Sequence, residues 1–172
     1  TISVVSHLPE VNKKIYMPQA NNYIDLPDLI KYLHEFGFSL RLTCVCCKDM
    51  MDTKEKVSEF IKFAKENKVE QVTLRPVNDE FRRESAANWI KLNKLTDNQK
   101  QEIKQYLEDN GTKLLELERI GTIYDVNGQN VCISLPLNKN TRDTDPENGR
   151  NLIFFQDGHI RYEWEMEGGI LL

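Results

Sequence analysis

Residues 40–77, LRLTCVCCKDMMDTKEKVSEFIKFAKENKVEQVTLRPV, decide the fold. The stretch opens on alternation. Leu40, Leu42, Cys44 and Cys46 share one face, and Arg41, Thr43, Val45 and Cys47 share the other, as in a strand. The period then changes. In DTKEKVSEFIKFAKENK, residues 52–68, Val57, Phe60, Ile61 and Ala64 recur three and four apart, the apolar stripe of a helix. Asp52 and Glu55 have the spacing of a capping box. VEQVTLRPV, residues 69–77, returns to alternation, with Val72, Leu74 and Pro76 opposite Thr73 and Arg75. A crossover of this length predicts parallel strands with a helix laid across them.

The same grammar extends outward. ISVV at 2–5 reads as a short buried strand, followed by a polar stretch to about residue 24. In DLPDLIKYLHEFG, residues 25–37, Leu26, Leu29, Ile30, Leu33 and Phe36 mark a helix, with Asp25 as its N-cap and Gly37 at its stop. Residues 1–77 therefore alternate strand and helix, which favours an α/β parallel sheet or barrel. TDNQKQEIKQYLEDNGT, residues 96–112, is an amphipathic helix ending near Gly111. KLLELERI, TIYDV, NVCISL, NLIFFQ and HIRYEWE follow as β-rich segments, and Asn127-Gly128 and Asp157-Gly158 are hairpin turns. Residues 136–150 read as a polar loop. The expected domains are 1–95, the βα units, and 96–172, a helix with antiparallel β hairpins.

Composition narrows the function classes. The chain has 172 residues, 40% hydrophobic and 29% charged, with net charge −4. A folded domain is expected, and no nucleic-acid partner is indicated, since no basic block is present to meet phosphates. No apolar run approaches the roughly 18 residues of a membrane span. Adjacent cysteines suit a reducing, cytoplasmic setting better than a disulfide framework. They also make a poor metal site. Cys46 and Cys47 of one strand point to opposite faces, and metal-binding cysteines usually come from loops at wider spacing. Cys44, Cys46 and Cys132 read as structural, no metal ligand is identified, and Cys47 at the strand's carboxyl end stays a site candidate.

Thr43 with Arg41 and Thr73 with Arg75 place polar groups on one side of two adjacent strands. A structural barrel is filled mainly by branched aliphatics, so this side suggests a ligand cavity, with an anionic ligand in view. The competing reading pairs both arginines with carboxylates that only tie the barrel together. His7, after the first strand, is a further candidate for substrate contact. His34 reads as a solvated helix residue.

Residues 40–77 also resemble the fifth strand, helix and sixth strand of radical SAM enzymes of the GTP 3',8-cyclase type. TISVVSHLPEVNKKIY resembles that family's fourth strand and turn. NGQNVCISLPL and LIFFQDGHIRYEWEMEGGILL resemble its C-terminal part. The family's C-x-x-x-C-x-x-C motif is not in this chain. The resemblance therefore implies the C-terminal part of a partial (β/α) barrel, separated at Thr1 from a missing N-terminal half that carries the [4Fe–4S] cluster. It implies S-adenosylmethionine as cofactor, with Ser3 and Thr43 beside it and Arg75 at a carboxylate. Arg41, Cys47 and His7 are the candidate contacts to a small-molecule or peptide substrate, and no catalytic residue is assigned. The family's chemistry is reductive cleavage of the cofactor to a 5'-deoxyadenosyl radical, and this chain alone is expected to be inactive. The alternative is a non-enzymatic α/β ligand-binding or protein-interaction module.

Overall fold

The computed structural model describes residues 1–18, 23–77, 84–117, 121–134, 153–154 and 157–161. Two compact units divide the chain, Thr1–Leu137 and Asn138–Leu172.

The first unit contains β1 (Ile2–Val4), α1 (Pro9–Tyr16), α2 (Leu26–Glu35), β2 (Arg41–Cys46), α3 (Lys54–Glu66), β3 (Gln71–Pro76), α4 (Glu84–Asn93), α5 (Asp97–Asn110), β4 (Thr112–Leu117), β5 (Gly121–Val126) and β6 (Gln129–Ser134). Its six strands form one mixed sheet in the order β1-β2-β3-β6-β5-β4. The neighbours from β1 to β6 are parallel, and β6–β5 and β5–β4 are antiparallel. Among the described strands, β1 and β4 are the edges. Sheet pairing thus runs through residue 95, because β6 lies directly against β3. In the second unit β7 (Ile153–Phe154) pairs antiparallel with β8 (Ile160–Arg161) around the Asp157-Gly158 turn. The polar loop read at 136–150 and the end of the HIRYEWE segment lie outside the described residues.

The alternation sets the core. Leu42, Cys44, Val72, Leu74 and Val131 are fully buried, and with Val4, Tyr124 and Ile133 they pack against Leu26 and Ile30 of α2, Val57, Phe60, Ile61 and Ala64 of α3, and Ile103 and Leu107 of α5. The apolar stripes of these helices meet one face of the sheet. Asn127-Gly128 is the β5–β6 turn as read, with φ of 52° and 84° in the left-handed region that such a turn requires.

Several local expectations change. The polar stretch after β1 contains α1, entered through Pro9 in its first turn. Residues 84–93 form α4, which the sequence reading passed over. Asp25 caps α2 by accepting Asp28 N–H, but α3 is capped by Thr53, whose hydroxyl accepts Lys56 N–H at 3.3 Å. Asp52 is not the cap. It accepts Asp49 N–H at 2.8 Å and Lys56 Nζ–H at 2.6 Å, which ties the β2–α3 turn shut. A full capping box does form at α5, between Thr96 and Gln99. His34 is half-buried rather than solvated, with Nε2 3.3 Å from Glu70.

Candidate functional site

The α2, α3 and α5 layer packs on one face of the sheet, and the other face, which these three helices leave uncovered, is termed the open face. Its register aligns Ser3 with Thr43, Thr43 with Thr73, and Thr73 with Cys132, one residue from each of four neighbouring parallel strands. At about 4.8 Å between strands, this row crosses roughly 14 Å of sheet. Ser3 is exposed, Thr43 and Thr73 are half-buried, and Cys132 is 9% exposed. Each parallel strand faces its helices with an apolar residue and the open side with this polar one. Simple alternation places the hydroxyls there.

Arg41 and Arg75 stand on the same face at opposite ends of it, Arg41 opposite Gln71 and Arg75 opposite Val45. Both are exposed, and among the described residues neither has a carboxylate partner within ion-pair distance. The carboxylate-tied arrangement considered from the sequence does not occur among these residues. Their guanidinium donors are unpaired among the described residues, so they can meet a ligand.

The structure does not bring His7 or Cys47 to this row. His7 packs over α3, its ring centroid 5.4 Å from that of Phe63 and 6.3 Å from that of Phe60. Its Nδ1 is buried without a hydrogen-bond partner among the described residues. Burial lowers its pKa, against the opposing pull of Glu59 and Glu10, so the neutral imidazole is favoured. Cys47 has left the strand and is 2% exposed. Its thiol is pushed up to about 11, by burial first and then by Cys46, Asp52 and Asp49. That is the opposite of an activated thiolate.

Asn12 was not singled out in the sequence. It is 1% exposed, and its Oδ1 accepts Val5 N–H at 2.9 Å and Ser6 N–H at 3.2 Å. Its Nδ2 donates to the Ser6 carbonyl at 2.7 Å. One side chain thereby satisfies three backbone groups just past the carboxyl end of β1 and fixes where that strand ends. An asparagine inside a polar run carries no periodic signal that would mark it.

Among the described residues, no group of three or more His, Cys, Asp or Glu is placed to hold a metal ion, and no helix is long and apolar enough to cross a membrane. No family model matches the chain, and no curated protein or solved structure matches it.

Proposed function

We propose that the open face is the inner wall of a partial (β/α) barrel, and that this chain is the C-terminal portion of a cytoplasmic radical SAM enzyme. In this reading S-adenosylmethionine lies along Ser3, Thr43 and Arg75, next to a small-molecule or peptide substrate. One observation carries it: a row of hydroxyls flanked by two arginines without carboxylate partners among the described residues, on the face that α2, α3 and α5 leave open. Strands in the order β1-β2-β3, with α2 and α3 packed on one side, are what part of a singly wound barrel requires. The residues suit the cofactor chemically. Threonine and serine hydroxyls both donate and accept, matching a ribose diol, and a guanidinium matches a carboxylate in two-pronged fashion.

The cysteines do not suit a cluster. Cys44 and Cys46 lie in the helix-packed core, Cys44 has its thiol pushed well up by its hydrogen bond with Cys46 and by burial, and Cys47 is also held protonated. In this reading the cluster's ligands lie outside this chain. The four free cysteines agree with a reducing compartment. The same face and its two arginines without carboxylate partners among the described residues would also serve a second reading, a non-enzymatic binding module.

Titration calorimetry with S-adenosylmethionine tests the proposal on the 172-residue chain. Saturable binding is expected, weakened about ten-fold by Arg75→Gln, the loss of one charge-assisted contact of about 1.4 kcal/mol. No binding to the unaltered chain rejects the cofactor assignment and leaves the binding module.

A further inference from the structure

The amino-terminal end of the open face carries a second polar group. Arg41, Gln71, Asn130 and Asp125 form one cross-strand row over β2, β3, β6 and β5. Gln71 Nε2 donates to Asn130 Oδ1 at 2.7 Å. That bond orients both amides and consumes an acceptor of Asn130. Both side-chain N–H groups of Asn130, the second one of Gln71 and the whole Arg41 fork remain without a partner among the described residues. Asp125, the carboxylate of the row, is engaged in the β5–β6 turn, where Oδ1 accepts Gly128 N–H at 2.5 Å. Burial pushes the Cys132 thiol up, and the Arg41 charge opposes it.

This row is separate from the end of the face that carries Arg75. Arg75 is four residues along β3 from Gln71, about 13 Å at a strand's rise per residue. One small anion cannot serve both arginines at the level of the sheet.

We propose that Arg41, Gln71 and Asn130 form an oxyanion subsite that takes a carboxylate or phosphate group of the substrate. A row of amide donors beside one permanent cation is the chemistry such a group needs. The inference rests on the open face being a ligand surface, not on the identity of the cofactor.

The test is nuclear magnetic resonance on the full chain, following the side-chain amide signals of Gln71 and Asn130 during titration with pyrophosphate and, separately, succinate. Saturable shifts in the millimolar range are expected with at least one of them. Arg41→Gln, a change at an exposed position, should weaken that binding at least ten-fold with an unchanged melting temperature. A stronger response to pyrophosphate assigns a phosphoryl group, and a stronger response to succinate assigns a carboxylate. Shifts that rise linearly with both anions, or that persist in Arg41→Gln, mean an adventitious ion only and overturn the subsite. Loss of S-adenosylmethionine binding with the pyrophosphate or succinate response intact would remove the cofactor reading alone.

Discussion

Asn12 holds Ser6 from both sides, accepting its N–H at 3.2 Å and donating to its carbonyl at 2.7 Å. The contact is buried, so no water replaces it. Asn12→Ala strands three backbone groups, counting Val5 N–H, and should cost about 3 kcal/mol. Asn12→Asp keeps the acceptor and should cost about half as much. Urea unfolding of the three proteins measures this. Equal stability of Asn12→Ala and the unaltered chain would show that the turn holds without its clamp.

Asp52 sets a pH dependence. Burial pushes its pKa up, but the Lys56 hydrogen bond, the Asp49 N–H and the Lys56 charge outweigh that, and the carboxyl ends below its usual value of 3.8. A lowered folded-state pKa stabilises the protein above the unfolded value, and that contribution is lost as pH falls through the folded one. Asp52→Asn should therefore destabilise by about 2 kcal/mol at neutral pH, as a charged hydrogen bond is lost. The gap should close toward pH of about 2. A gap that stays constant from neutral to acid would mean the carboxylate's charge is not what closes the turn.

The thiols make a third prediction. With Cys47 held near 11, its thiolate fraction at pH 8 is on the order of 0.1%, and it should react about 100-fold or more slower than an unperturbed cysteine. Cys44 and Cys46, at 0% and 1% exposure, should be as inert, and Cys132, at 9% on the open face, should label first. Mass spectrometry after timed alkylation of the native chain gives the order. Early labelling of Cys47 would contradict both its burial and its protonation.

How the sequence announced these features depends on their periodicity. The parallel β2–β3 pair, α2, α3, α5 and the Asn127-Gly128 hairpin could all be read, because a stripe or an alternation repeats over enough residues to be recognised. The polar side of β2 and β3 follows from the same alternation: Arg41 and Thr43, and Thr73 and Arg75, alternate with the buried Leu42, Cys44, Val72 and Leu74. What escaped was aperiodic or long-range. The short α1 is polar on most of its surface. The pairing of β6 with β3 joins residues about 60 positions apart, and nothing local in NVCISL distinguishes a strand with an antiparallel neighbour on both sides from one with a parallel neighbour on one. Cys47 followed the alternation on paper, but the chain turns at residue 47, so the side chain no longer obeys the pleat. Capping was read one residue early for a similar reason. Asp52 and Thr53 are both good caps by type, and Lys56 draws the aspartate into the turn.

Two glycines separate close packing from backbone conformation. A Cβ on Gly121 would lie 2.3 Å from the Ile133 carbonyl oxygen and 3.0 Å from Ser134 Cα, both backbone atoms of the paired strand β6. Neither can move without disturbing the β5–β6 ladder. A Cβ on Gly37 would meet nothing within 4 Å, but φ there is +77°, where side chains are strained. Gly37→Ala should therefore cost about 1 kcal/mol, the left-handed penalty alone. Gly121→Ala should cost about 3 kcal/mol through overpacking, and it should also raise amide exchange in β5 and β6, the strands whose pairing it pushes apart. Thermal melts together with hydrogen exchange distinguish the two mechanisms. If Gly121→Ala were no worse than Gly37→Ala and left exchange in β6 unchanged, the close approach of β5 to β6 at this point would not be what the glycine serves.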